Sequence, residues 1–248
     1  MIRVHEFHKA YDQTIAVAGI SFQVEPGQIL GLIGPNGAGK TTTLRALCGI
    51  IPISQGNMSV AGFDLCERPL EAKKRLAYIP DDPQLFNDLS VSQHLAFTAS
   101  CYQVADADQR IESLLNDFEL VAKKDAPVSD LSRGMKQKLA VCCAYLHEPT
   151  AILFDEPLTG LDPRGIRALK ESIAQRARCG AAIIISSHLL AMVEDICSHM
   201  LILDHGKQRF CGPLSDVKTT FAIDRADASL EDIFFHATTA TPIPVEAF

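Results

Sequence analysis

The chain has 248 residues, 47% hydrophobic and 21% charged, which suits one large domain or two closely packed lobes and excludes a disordered chain. Its formal net charge of −7 argues against a nucleic-acid partner, because phosphate binding usually needs a basic field. No apolar run approaches the roughly 20 residues of a membrane-spanning helix, so work at a membrane would need another chain to cross it.

Nothing at Met1 reads as a secretion signal, and the cysteines at 48, 66, 101, 142, 143, 179, 197 and 211 form no C-x-x-C pair. They are expected to be buried, reduced thiols of a cytosolic protein; Cys197 and His199 lack a second ligand pair, which argues against zinc.

The first part is expected to alternate short extended segments with turns. Ser21 to Val24 has period-two patterning, and Glu25-Pro26-Gly27 turns the chain. Gln28 to Ile33 is a short apolar run of the buried-strand kind, and Thr41 to Cys48 reads as a helix stopped at Gly49. Between them lies Gly34-Pro35-Asn36-Gly37-Ala38-Gly39-Lys40-Thr41, a G-x-x-x-x-G-K-T loop with the flanks such a loop needs. Its glycines let backbone N–H groups turn inward around phosphates, and the helix adds its positive end. Lys40 is expected to reach the β- and γ-phosphates and Thr41 to offer its hydroxyl to Mg²⁺. A Gly-rich turn beside a surface lysine is the plainer alternative, and the strand and helix on either side weigh against it.

From about Leu85 to His147 the chain reads as mostly helical. Ser90 with Gln93 makes a capping box, and Ile111, Leu114, Leu115 and Phe118 form one apolar stripe, expected to be core. Leu131-Ser132-Arg133-Gly134-Met135-Lys136-Gln137 looks like a helix start, with Ser132 as its cap and Gly134 leaving room for a phosphate. Ala151 to Phe154 and Ala181 to Ile185 read as strands around a helix at Arg164 to Arg178, a parallel βαβ crossover. Asp155 and Glu156 leave the first of these strands; Asp155 is placed to hold Mg²⁺ and Glu156 to polarise an attacking water. Met200 to Leu203 and Gln208 to Phe210 flank a hairpin turn. Ser229 is expected to cap a short helix carrying Leu230, Ile233 and Phe234.

Together these segments resemble the nucleotide-binding domain of ABC transporters over most of the chain. The order of phosphate loop, helical stretch, Leu-Ser-x-Gly signature and acidic pair is that family's order. Gly160-Leu161-Asp162 is similar to its D-loop, His188 in Ser186-Ser187-His188 to its switch histidine, and Tyr11 to the aromatic that stacks on adenine. LSRGMKQKLA and FDEPLTGLDP look most like subunits serving ABC-2 type permeases.

The resemblance implies an α/β P-loop NTPase (ABC ATPase) with a mixed-sheet core, a small antiparallel β subdomain and a helical subdomain. The ATPase domain would cover residues 1–237, the helical subdomain about 85–148, and a tail 238–248. It implies ATP and Mg²⁺ as cofactors, with contacts from Tyr11, Gly34 through Lys40, Thr41, Thr42, Ser132, Gly134 and Asp162. Metal ligation is implied for Thr41, Asp155 and Asp81, and catalysis for Glu156 and His188. ATP held by one subunit would be covered by Ser132 and Gly134 of the facing one, in a homodimer or a heterodimer with a second ABC ATPase. Integral membrane permease subunits are the implied partners, and the implied location is cytoplasmic, peripheral on the inner face of the cell membrane.

The chain departs from the family pattern at two points. Arg133 stands where the signature usually has Gly, and Asp81, after Tyr78-Ile79-Pro80, stands where the Q-loop glutamine is expected. Aspartate can ligate Mg²⁺ but adds negative charge near the triphosphate; Gln84 is the alternative for the Q-loop role. An export motor leads, and an import motor follows within the class. A non-transport ABC ATPase of translation or DNA repair is the alternative from another class, though such relatives carry two domains or coiled-coil insertions. A P-loop GTPase would need an Asn-Lys-x-Asp motif, which is absent.

Overall fold

The structure, a computed structural model, describes residues 1–221 and 230–239. Two sheets divide the strands. β1 (Ile2–Tyr11), β2 (Thr14–Val24), β4 (Gln55–Val60) and β5 (Phe63–Asp64) form an antiparallel sheet in the order β2-β1-β4-β5. The larger sheet has β3 (Ile29–Ile33), β6 (Leu76–Ile79), β7 (Ala151–Asp155), β8 (Ala182–Ser187), β9 (His199–Asp204) and β10 (Lys207–Pro213) in the order β10-β9-β3-β8-β7-β6. Its strands run parallel except β10, which folds back antiparallel on β9.

The expected short extended segments before Gly27 are in fact two long strands of 10 and 11 residues. Their pairing slips at three places, between Val4 and Phe7, Phe7 and His8, and Lys9 and Ala10. Each slip breaks the inward–outward alternation, so no period-two pattern runs the length of either strand.

In β3, β7 and β8 every residue is buried, as parallel strands covered on both faces require. Alternate side chains feed two cores. Leu30, Leu32, Leu153 and Ile184 face the antiparallel sheet, meeting Phe7, Ile20 and Phe22. Ile33, Phe154, Ile183 and Ile185 face the helices on the other side.

α1 (Lys40–Leu47) follows β3 and α2 (Pro69–Lys73) precedes β6, and their buried Leu44, Leu47 and Ala72 join the core on the side of the antiparallel sheet. The helices of the other face come from the middle and end of the chain. α3 (Val91–Tyr102), α4 (Ala107–Asp117) and α5 (Arg133–Tyr145) make the helical layer. The Ser90–Gln93 capping box is formed in both directions, and Leu114, Leu115 and Phe118 are buried with Ile111 packed against them. α6 (Pro163–Arg178) carries the crossover from β7 to β8, and α7 (Leu190–Ile196), α8 (Val217–Thr220) and α9 (Leu230–Thr239) close the face. Ser229 and residues 240–248 lie outside the described residues. The expected helix is present: Leu230 and Ile233 are buried and Phe234 is half-buried, and α9 runs on through Thr239, so the expected tail begins in helix. Contrary to expectation, Cys66, Cys101 and Cys179 are exposed, while the other five cysteines are buried or half-buried.

Candidate functional site

The register of the parallel strands decides where the polar ends of β3, β7 and β8 meet. Ile33, the last residue before the glycine-rich loop, pairs with Ser187, and Asp155 pairs with Ser186. The loop from Gly34, the Asp155–Glu156 pair and the Ser186–His188 segment therefore share one edge of the sheet, at the strand C-termini.

The loop is held from below. A Cβ on Gly34 would stand 2.3 Å from the Leu203 carbonyl oxygen, and one on Gly39, at φ 103°, would stand 2.7 Å from that of Ala16. Only glycine lets the backbone pass so close. Pro35, Asn36 and Gly37 are exposed, whereas Ala38, Gly39 and Lys40 are buried and Thr42 is half-buried in α1. The Lys40 ammonium bends back to donate to the carbonyls of Gly34 (2.6 Å) and Pro35 (3.1 Å). Burial lowers its pKa from the ordinary lysine value, against the opposing pull of Glu156 and Asp155.

Asp155 is the hub. Its carboxylate, 4% exposed, accepts from Thr41 Oγ1 at 3.2 Å, Tyr78 Oη at 3.2 Å and Ser186 Oγ at 2.5 Å. Three donors fix its orientation and offset the cost of burying a charge. Burial, followed by the Asp155 charge, pushes the Tyr78 phenol well above its usual range, so it stays a donor. In the sequence Tyr78 stands only as a landmark and Ser186 only as a flank; neither carries a signal that it bonds an aspartate far away in sequence.

Glu156 turns away from its neighbour because its φ is +49°, a left-handed conformation uncommon for a non-glycine residue. Its N–H donates to both the carbonyl and the hydroxyl of Ser186. Its carboxylate meets exposed His188, Oε2 to Nδ1 at 2.8 Å.

Of the remaining residues, Asp81 shares a cleft with Thr41 and Asp155, whereas Tyr11, Ser132, Gly134 and Asp162 do not line it. Ser132 accepts from Met135 N–H at 3.3 Å as the cap of α5, and Asp162 accepts from Gly165 N–H at 2.9 Å as the cap of α6. Gly134 sits on the Gly160 carbonyl. Tyr11, 46% exposed at the end of β1, has the Lys9 ammonium 5.2 Å from its ring centre. Asp81 accepts from Arg133, and the Gln84 amide donates to the backbone carbonyl and carboxylate of Asp82. A cleft of about 810 Å³ is lined by Thr41, Tyr78, Asp81, Gln84, His147 and Asp155 among others, but by neither Ser132 nor Gly134.

Comparison with known proteins gives a consistent answer. The ABC transporter family pattern matches residues 17–159. The ABC-type transporter ATP-binding protein EcsA of Bacillus subtilis is 35% identical over 240 residues, 96% of each chain. The Nod factor export ATP-binding protein I of Cupriavidus metallidurans is 32% identical over 210 residues, 84% of this chain and 69% of that one. A solved structure described as the ATP binding subunit of an ABC transporter superposes with a TM-score of 0.91 at 33% identity, over 96% of this chain and 99% of that one.

Proposed function

The chain belongs to the ABC transporter ATP-binding proteins, and on that premise we propose that it drives export through a separate membrane permease. It is an ATP-binding and ATP-hydrolysing subunit of a transporter, of a kind that dimerises and works with membrane components. Among its described residues no helix is long and apolar enough to cross a membrane. The permease is taken to be another chain, with this one docked on its cytoplasmic, inner face. The export direction draws support from the Nod factor export relative.

The observation that carries the chemistry is the meeting of Lys40, Thr41, Asp155 and Glu156 at one sheet edge. Lys40 is the buried cation for the β- and γ-phosphates, and Gly34 through Gly39 present backbone N–H groups. Thr41 Oγ1 and the Asp155 carboxylate, 3.2 Å apart, are the hard oxygen donors that magnesium takes. When bound, magnesium neutralises charge on the phosphate oxygens. Glu156 orients or deprotonates the attacking water, and His188, on the same carboxylate, reaches the γ-phosphate. Tyr11 stacks on the base. The Asp162 segment and the starts of α5 from both subunits form the seam, with Ser132 and Gly134 covering the partner's nucleotide. Catalysis is then positioning plus charge stabilisation.

The experiment is ATP cleavage by the purified protein against protein concentration, with and without magnesium, and co-purification of a multi-span membrane protein from detergent-solubilised membranes. The expected results are a rate that rises more steeply than linearly, a magnesium requirement and recovery of the permease. A monomer cleaving ATP at full specific rate, with no membrane partner, would overturn the two-subunit motor.

A further inference from the structure

The two positions that depart from the family pattern touch each other. Arg133 Nη2 donates to Asp81 Oδ1 at 3.2 Å, across 52 residues of sequence, with both side chains about half exposed. On its way the arginine stem crosses Gly160. A Cβ at Gly160 would stand 2.9 Å from Arg133 Cδ and 3.0 Å from Cγ, and the φ of +79° there also favours glycine. One residue on, Gly134 presses on the same turn, with its Cβ position 2.8 Å from the Gly160 carbonyl oxygen.

That turn starts at Glu156, whose carbonyl accepts from the Thr159 N–H at 3.3 Å and the Thr159 hydroxyl at 3.0 Å. Asp81 lies just beyond β6, which pairs with β7, the strand that delivers Asp155. Arg133 therefore joins three pieces: the start of α5, the turn leaving Glu156 and the loop leaving β6.

We infer that Asp81 and Arg133 are positioning residues, a tether that holds the start of α5 in register with the Glu156 turn. The inference rests on the reading that this helix start seals the partner's nucleotide. In that role the Asp81 carboxylate serves Arg133 rather than magnesium. An exposed pair of this kind biases a two-state equilibrium by about two- to fivefold, a small share of global stability but enough to set how readily the sealing face is presented.

The test is ATP cleavage against ATP concentration for the full chain and for Asp81→Arg, Arg133→Asp and the double exchange. Arg133→Met, which keeps an apolar stem over Gly160, guards against a folding defect. Each single change, Arg133→Met included, is expected to raise the half-saturating ATP concentration about two- to fivefold at unchanged kcat. The double exchange is expected to recover most of that loss. Single variants with wild-type ATP curves, or a double exchange no better than the worse single, overturn the tether. So does an Asp81→Asn variant that needs more magnesium while Arg133→Met behaves as wild type, which would return Asp81 to the metal. Failure of the underlying reading looks different: the unaltered protein would cleave ATP at a specific rate independent of protein concentration, with no sealing by a partner.

Discussion

Glu156 Oε2 lies 2.8 Å from His188 Nδ1, and the His188 backbone N–H points to the same oxygen at 3.4 Å. One carboxylate oxygen thus collects both donors of a single residue, and the backbone of Glu156 is itself pinned to Ser186. The group proposed to handle the attacking water is held at the open edge of the sheet by the segment after the neighbouring strand.

If Glu156 performs that task, Glu156→Gln keeps the shape and loses the base. Turnover is expected to fall by about a hundredfold or more, while ATP still binds and a closed dimer accumulates. Phosphate release and size-exclusion chromatography with ATP measure the two halves of this expectation. Wild-type turnover in the variant would remove Glu156 from the mechanism.

Lys40 donates to two loop carbonyls and faces the Asp155–Glu156 charges. Lys40→Ala deletes the buried cation, and ATP binding is expected to weaken at least about tenfold, the scale of one charged hydrogen bond. Titration calorimetry reads this directly. An unchanged isotherm would refute the phosphate-loop assignment.

Ser186 is fully buried and serves Asp155 and Glu156 at once, donating to the first and accepting from the second. Ser186→Ala leaves a buried carboxylate short of one donor. Urea unfolding is expected to show a loss of about 1–3 kcal/mol, with turnover falling more than ATP affinity. A variant as stable as the parent would mean that water replaces the hydroxyl at no cost.

His94, 6% exposed, accepts from the Phe86 N–H through Nε2 at 3.0 Å, a bond that only a neutral ring can make. Burial lowers its pKa below the ordinary 6.5. The unfolded chain therefore takes up a proton that the folded one resists. The associated stability is present above about pH 6.5 and is lost as pH falls through the lowered folded value. His147, also lowered by burial, acts in the same direction. His94→Gln keeps an acceptor without titrating, so its melting temperature should drop less between pH 7.5 and 5.5 than that of the parent. Equal drops would exclude His94 as a source of acid sensitivity.

Much of the site was legible in sequence because its chemistry is local. Gly34 to Thr41 encodes a backbone path, a cation and a hydroxyl within one contiguous run, flanked by the strand and helix that aim them. Asp155 and Glu156 were legible as the polar end of an apolar strand, and Ser90 with Gln93 as a helix start, for the same reason.

What adjacency cannot express was decided by the tertiary structure. Tyr78 and Ser186 reach Asp155 across 77 and 31 residues, and Arg133 reaches Asp81 across 52. Those partners meet because parallel strands β6, β7 and β8 stack in a fixed register and because α5 bears on the turn after Glu156. The bulged pairing of β1 and β2 was hidden likewise, since each slip erases the alternation that announces a strand. Local pattern determined which chemistry the chain carries; register and packing between distant segments determined which groups touch.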